Sequence, residues 1–269
     1  MTYKNLIITL SALVFSGCLY ASNEPQFPVQ EPAPVAEKSA PAASSTHSSP
    51  APQDVQKKAE GILENVVTDN DRFARKTPDS HFNTFKESQA PRATMVLCSD
   101  SRVQTEAFDF TPENDLFVVR NVGNQFASNP GSVEYGVNHL NTPVLFVVGH
   151  SGCGAIKAAY EDYSRESADI KRELDTIQVK SAPDIKEAVL VNVNNQVEEA
   201  KKKFSDKVNS GALIIVGGVY DFRNDYGRGD GQFIITNLNG ETDSKKIESS
   251  PYFEKVKGAR IGINMAVNK

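Results

Sequence analysis

Two short apolar runs that each end in metal-binding residue types constrain this chain more than any other feature. The run 93–97 leads into Cys98, and the run 144–149 leads into His150, with Cys153 three residues further on. Short apolar runs bounded by small polar residues indicate buried parallel strands. Open α/β sheets bind their ligands at the carboxyl ends of such strands. The sequence therefore predicts that these side chains meet at one edge of a sheet.

The three residue types form a ligand set for zinc. Two thiolates and one imidazole bind Zn²⁺ well and leave a fourth position for water or an acid. Asp100 could take that position or hydrogen-bond its occupant, and Arg102 is the expected partner that keeps Asp100 ionised. The pattern predicts a catalytic zinc site in which Cys98, His150 and Cys153 bind the metal. Asp100 and Arg102 are the predicted catalytic pair.

With these motifs intact, the chain resembles the beta-class carbonic anhydrases. Both paired motifs of that family, Cys-x-Asp-x-Arg and His-x-x-Cys, are present without substitution. Three further stretches resemble the family in the same order, namely 115–121, 131–135 and 217–221. The resemblance covers roughly 57–236. It implies a zinc enzyme that reversibly hydrates carbon dioxide to bicarbonate and a proton.

The resemblance also implies finer features of the site. Arg102 is expected to hold Asp100 charged and turned away from the metal, so that Asp100 becomes a fourth metal ligand only in a closed state. Gln89 is implied as a hydrogen-bond donor in the substrate pocket, with Phe117 and Tyr135 as its apolar wall. In the family such aromatic side chains come from a neighbouring subunit. A homodimer or a higher even oligomer is therefore expected.

Alternating strand and helix patterns predict an α/β fold, with a mostly parallel central sheet flanked by helices and an N-terminal helical extension. Strands are predicted at 93–98, 116–120, 144–149, 213–219 and 232–236. The helical extension is predicted over 56–73. An i, i+4 ladder of apolar residues from Ile185 to Phe204 predicts a further helix, with a capping box at 181–184 before it.

The N-terminal sequence predicts export. Lys4 precedes a largely apolar stretch, 6–15, that has the pattern of a signal peptide and is too short to span a bilayer as a helix. Ser16 and Gly17 before Cys18 resemble a bacterial lipoprotein box, so Cys18 is the predicted lipidated N-terminus. Cleavage after Ala21 by the ordinary signal peptidase is the alternative. The predicted location is the periplasm, with membrane attachment only through the lipid.

Composition divides the chain into four parts. A signal peptide at 1–22 is followed by a Pro-, Ala- and Ser-rich tether at 23–55, which is predicted to be disordered because it has little apolar surface to bury. A beta-carbonic anhydrase domain is predicted at 56–238 and a polar extension at 239–269. The net charge is −5 and there is no basic stripe, which argues against a nucleic-acid partner.

Two other functions stay open. The same fold and ligand set hydrolyses carbonyl sulfide or carbon disulfide in relatives, and the sequence does not exclude such a substrate. A non-catalytic zinc-binding lipoprotein is the second alternative. The intact Asp100 and Arg102 argue against it, because storing a metal requires neither residue.

Overall fold

Six strands form one sheet in the computed structural model, which describes residues 52–263. In chain order the strands are β1 (Ala93–Cys98), β2 (Leu116–Asn121), β3 (Val144–His150), β4 (Ile214–Asp221), β5 (Gln232–Leu238) and β6 (Arg260–Ile261). Their order across the sheet is β2-β1-β3-β4-β5-β6. The first four run parallel, β5 is antiparallel to β4, and β6 is parallel to β5. The predicted mostly parallel sheet is confirmed.

Eight α-helices lie in the same part of the chain. They are α1 (Pro52–Lys76), α2 (Asp79–Asn83), α3 (Pro130–Glu134), α4 (Gly154–Tyr160), α5 (Ala168–Leu174), α6 (Ile185–Lys203), α7 (Ser205–Asn209) and α8 (Ser244–Glu248). A 3₁₀ helix at Thr105–Ala107 and a π-helix at Tyr135–His139 complete the helical structure over 52–263. Among these helices, none is both long and apolar enough to cross a membrane.

The long helix α6 covers one face of the sheet at β3 and β4. Its side chains Val189 and Val193 are buried, in the ladder that the sequence predicts. Two strand glycines let the helix approach closely. A Cβ atom added to Gly149 would lie 2.8 Å from Val193, and one added to Gly217 would lie 2.9 Å from the same side chain. Such distances are too short for a real contact, so both strands need glycine here.

The start of α6 differs from the predicted capping box. Asp184 is the N-cap, and its carboxylate accepts a hydrogen bond from the backbone N–H of Glu187 at 2.8 Å. Ser181 lies three residues before the helix boundary. A helix capped by Ser181 would need Ala182 in helical conformation, which the following Pro183 disfavours. The predicted cap at Ser181 is therefore wrong.

Successive residues of β1 face opposite sides of the sheet. Val96 and Cys98 pack in the core cluster beneath α6. Met95 and Leu97 pack in a second cluster on the other face. That second cluster is rich in aromatic side chains, which are Phe108, Phe146, Tyr220, Phe222 and Phe233.

The polar C-terminal segment forms structure that the sequence did not predict. Ile247 in α8 is fully buried, and Ile261 in β6 is 7% exposed. Both pack with residues of β4 and β5 in a third cluster. One buried side chain in each element is too weak a signal for a periodicity argument.

The chain divides at Val66 into two compact units. Of the first unit, the structure describes the N-terminal part of α1. The sheet and its covering helices lie in the second unit.

α1 begins at Pro52, four residues before its predicted start, and exposes large apolar side chains along its length. The predicted signal peptide, Cys18 and nearly all of the tether lie outside the described residues.

Candidate metal centre

Cys98, His150 and Cys153 come together at the carboxyl end of the parallel strands. Cys98 ends β1 and His150 ends the neighbouring strand β3, while Cys153 precedes the first residue of α4. Their ligand atoms all lie within 4.8 Å of one another. The three residues are 5%, 0% and 1% exposed, so all three predicted ligands are buried.

His150 presents its Nε2 atom to this cluster. Its Nδ1 lies 3.1 Å from the carbonyl oxygen of Ser151. A carbonyl oxygen only accepts, so Nδ1 carries the proton and Nε2 keeps its lone pair. Within the described residues, Nε2 is buried and has no hydrogen-bond partner. A histidine oriented in this way by its other nitrogen is typical of metal sites.

The thiols of Cys98 and Cys153 contact each other. Their Sγ atoms are 4.0 Å apart. A hydrogen bond from Cys153 lowers the pKa of Cys98 to about 4, with further help from the backbone N–H groups of Asp100 and Gly123. The same contact, together with burial, raises the pKa of Cys153 well above its ordinary value. A divalent cation between the sulfurs would displace the remaining proton.

Asp100 and Arg102 form a bidentate pair beside the three ligands. Arg102 Nε and Nη2 donate to the two carboxylate oxygens at 2.9 and 2.6 Å, and its backbone N–H donates at 3.0 Å. These hydrogen bonds hold the pKa of Asp100 well below its ordinary value. Asp100 Oδ2 lies 3.9 Å from His150 Nε2. The carboxylate is therefore next to the ligand atoms while Arg102 holds both of its oxygens.

Arg120 of β2 supports the loop that carries this pair. Its guanidinium donates to the carbonyl oxygens of Cys98 at 3.2 Å and Asp100 at 3.4 Å, and also to that of Val103. Three carbonyls on one guanidinium fix the path of the loop from β1. Sequence reasoning assigned Arg120 no role, although its place at the end of a strand beside β1 is a usable signal.

The donor set fits zinc. With Zn–S bonds of about 2.3 Å and Zn–N bonds of about 2.0–2.1 Å, ligand atoms of a tetrahedral ion lie roughly 3.5–3.8 Å apart. The sulfur separation of 4.0 Å is close to that value. Buried thiolates with one imidazole are a soft donor set of the kind zinc prefers. All three ligand atoms lie within 4.8 Å of one another, so a shift of no more than about 1 Å brings them to zinc-binding distances.

A sequence profile described as carbonic anhydrase matches residues 93–227, half of the chain. Beta carbonic anhydrase 5, chloroplastic, of Arabidopsis thaliana is 29% identical over 167 residues, which are 53% of this chain and 55% of that protein. The chain belongs to the beta-carbonic anhydrase family. A carbonic anhydrase of Synechococcus elongatus is 30% identical over 163 residues, 52% of this chain and 60% of that protein. The chain thus spans less than two thirds of the length of either relative.

Solved structures of beta-carbonic anhydrases share the fold. The Coccomyxa beta-carbonic anhydrase superposes with a TM-score of 0.54 at 24% identity, over 70% of this chain and 90% of that one. A beta-carbonic anhydrase of Sordaria macrospora gives 0.52 at 22% identity, over 67% of this chain and 96% of that one. The predicted fold class is therefore confirmed.

The predicted pocket residues do not lie beside the ligand cluster of their own chain. Phe117 pairs with Thr94 in the sheet register, four residues before Cys98. Four residues of strand span about 13 Å. Tyr135 contacts Phe117, with ring centroids 5.8 Å apart, and is 44% exposed. Gln89 is exposed in the segment before β1.

His81 and His139 carry the other two imidazoles in the described part of the chain, and both lie outside the ligand cluster. His139 stacks on Tyr135 with centroids 4.4 Å apart. His81 lies among the aromatic rings of Phe82 and Phe85. No proton shuttle follows from these positions.

Two residues that directly follow β4 contact the site, and sequence reasoning missed both. The ring of Phe222 stacks near His150, with centroids 5.9 Å apart and planes at 23°, and Arg102 Cζ lies 4.8 Å from its centroid. Arg223 packs on Gly152, where an added Cβ would lie 2.6 Å from a guanidinium nitrogen. The Gly152 carbonyl accepts from Arg102 at 3.2 Å. Only the three-dimensional contacts identify these roles.

Proposed function

We propose that this chain catalyses the reversible hydration of carbon dioxide to bicarbonate and a proton, with Zn²⁺ held by Cys98, His150 and Cys153. The observation that carries the proposal is a carboxylate, Asp100, that lies beside the ligand atoms but is paired with Arg102. Structural zinc sites use four protein ligands, whereas catalytic sites keep one position open. Three ligands and a restrained acid provide that open position.

The bound metal supplies Lewis acidity, which makes hydroxide available from water near neutral pH. Asp100 acts only as an acceptor, because its depressed pKa keeps it ionised. With the metal bound, Asp100 would accept a hydrogen bond from the hydroxide, which would orient a lone pair of that oxygen toward carbon dioxide. Arg102 keeps Asp100 charged and turned away from the metal. Without Arg102, Asp100 is free to become a fourth ligand and close the site.

A direct assay tests the proposal. We expect purified protein to accelerate carbon dioxide hydration with zinc bound, to lose the acceleration after chelation, and to regain it when zinc returns under reducing conditions. Cys98→Ser, which lacks one ligand, is the matched control and stays at background. A zinc-loaded wild-type protein without hydration activity would refute the proposal. Turnover of carbonyl sulfide or carbon disulfide in that protein would support the alternative hydrolase.

We propose that the active form is a homodimer or a higher even oligomer in which Phe117 and Tyr135 line the pocket of a neighbouring subunit. The register of β1 and β2 supports this, because Phe117 lies about 13 Å from the end of its own strand pair. α1 adds support, since its exposed apolar side chains include Ile62 and Leu63 and such surfaces mark interfaces. The Sordaria macrospora relatives are described as tetrameric. Gln89 is the proposed hydrogen-bond donor of the same pocket.

Mixing two inactive variants tests the shared pocket. Tyr135→Ala removes the wall that a subunit gives its neighbour, and Cys98→Ser removes the metal from the subunit that carries it. If the wall acts between subunits, hybrids formed by unfolding and refolding the two together have one intact site and regain activity. Each variant refolded alone is the control. Failure to recover activity in verified hybrids would place the wall within one chain.

We propose that the protein is exported and carries a lipid at Cys18. The support is the sequence alone: Lys4, the stretch 6–15 and the small residues before Cys18. Radiolabelled palmitate supplied to bacteria that express the protein should be incorporated, and Cys18→Ser should abolish the label. An unlabelled wild-type protein with a new N-terminus after Ala21 would favour ordinary signal peptidase cleavage.

A further inference from the structure

The Asp100–Arg102 pair depends on a side chain that is half-exposed. Arg102 is 51% exposed at its side chain, whereas Asp100 is 16% exposed. Exposed arginine–carboxylate pairs compete with water and with side-chain entropy, so they contribute little unless their geometry is fixed by other contacts. The hydrogen bond from Arg102 to the Gly152 carbonyl, at 3.2 Å, is one such contact. The ring of Phe222 is the other.

Phe222 lies between the aromatic face of the sheet and the site. Its ring contacts Tyr220, with centroids 5.6 Å apart, in the cluster that also buries Leu97. On its exposed side, Arg102 Cζ lies 4.8 Å from the ring centroid. A guanidinium over an aromatic face at this distance is attracted by the ring quadrupole. The face of the Phe222 ring therefore contacts the guanidinium of Arg102, while Asp100 accepts hydrogen bonds from two nitrogens of the same guanidinium.

We infer that Phe222 is a positioning residue that holds Arg102 in the orientation that keeps Asp100 away from the metal. This inference rests on the proposed function, because the Asp100–Arg102 pair is part of that mechanism. Phe222 has no group for acid, base or ligand chemistry, so it acts through Arg102. An aliphatic side chain of similar size would fill the same space without the electrostatic attraction. Its loss would allow Asp100 to occupy the open metal position for part of the time.

Phe222 contacts a predicted metal ligand as well as Arg102. Phe222 also stacks near His150, at 5.9 Å between centroids, so the ring could support the metal ligand and not the arginine. The two readings predict different losses. Support of His150 affects how much metal is bound. Support of Arg102 affects how accessible the open position is while metal content stays full.

The experiment uses cobalt-substituted protein and azide as a probe of the open position. Azide changes the visible spectrum of Co²⁺ when it binds. Occupation of the open position by Asp100 would raise the apparent dissociation constant of azide in inverse proportion to the open fraction. We expect Phe222→Leu and Phe222→Met to bind one cobalt per chain and to need more azide for half-saturation, by a factor of up to about five, the limit set by the loss of an exposed cation–π contact. Turnover per bound zinc should fall by about the same factor. Phe222→Tyr keeps an aromatic ring and should retain the wild-type azide affinity and turnover.

Two controls separate the arginine contact from general packing. Phe233→Leu removes a ring from the same aromatic cluster, where it contacts Phe108 and Phe146, and should leave azide binding unchanged. In an Arg102→Ala background, Phe222→Leu should add no further change, since the residue through which it acts is gone.

Several results would overturn the inference. Azide binding that is unchanged in Phe222→Leu, or changed equally in Phe233→Leu, would do so. Loss of cobalt from both Phe222→Leu and Phe222→Met would show that the ring supports His150. The azide titration needs no turnover, so it distinguishes failure of this inference from failure of the proposed function. Even if the wild-type protein hydrates no carbon dioxide, the azide affinities of the wild type and of Phe222→Leu can still be compared.

Discussion

The metal ligands and the Asp100–Arg102 pair lie side by side but in different surroundings. Cys98, His150 and Cys153 are buried and are held by strand ends and by the first turn of α4. The pair stands at the surface of the site, with Arg102 half-exposed. Buried ligands are placed by the fold, whereas an exposed pair is placed by a few specific contacts. Metal binding and chemistry therefore depend on separate parts of the structure.

The largest effect is expected from the buried ligands. Cys98→Ser and His150→Ala should each lose zinc, and activity should fall to the uncatalysed background, because two protein ligands do not hold the ion. Metal analysis of the purified variants and a hydration assay check this expectation. Full zinc occupancy in either variant would contradict the view that the buried residues bind the metal while the exposed pair serves the chemistry.

Oxidation should also act on the buried region. When zinc is chelated in air, the Cys98 and Cys153 sulfurs, 4.0 Å apart, should lose two electrons and two protons to dioxygen and form a disulfide. A shift of about 2 Å between the sulfurs is needed, because a disulfide bond is ~2.05 Å long. Reductant plus zinc should then restore activity, and zinc alone should not.

Anaerobic chelation is the control for this oxidation, since zinc alone should rescue that sample. Titration of free thiols measures the outcome in both samples. Full recovery with zinc alone after exposure to air, with both thiols still titratable, would show that the metal-free site resists oxidation.

Arg102→Ala tests the exposed region. Zinc should stay at one per chain while activity falls on the order of 10²-fold, the loss expected when a reacting group is misplaced by about an ångström. Zinc analysis and hydration kinetics on the same preparation measure both effects. Wild-type turnover would show that Asp100 does not need its partner. Loss of zinc would show that the pair also holds the ligands.

The smallest effect is expected from the N-cap of α6. Asp184→Ala removes the N-cap of α6 and should lower the free energy of unfolding by about 1 kcal/mol, without changing zinc content or turnover. Ser181→Ala is the matched control, because that residue lies outside the helix, and should change stability by less than about 0.5 kcal/mol. Denaturant unfolding of both variants measures the difference. An equal loss of stability in Ser181→Ala would support the predicted capping box at Ser181.

The sheet and its ligands could be predicted from the sequence because both leave local signals. Apolar runs such as 144–149 mark buried strands, and Cys and His at their ends mark the metal. The last strand, β6, could not be predicted, because Ile261 is buried within a polar segment that has no periodicity. The N-cap of α6 could be predicted correctly only by applying the backbone restriction that Pro183 places on the residue before it. Phe222 acts through contacts with residues over seventy positions away, which one sequence does not reveal.

The two strand glycines under α6 have a consequence for how this protein can vary. His150 directly follows Gly149, and Gly149 is the point at which α6 presses on β3. Any larger residue at Gly149 would push the helix outward or shift the strand, and the next residue along is a metal ligand. We expect position 149 to tolerate no substitution, even though glycine has no functional side chain. Changes meant to alter the enzyme will therefore be accommodated more readily in the loop after β4 than in the strands that carry the ligands.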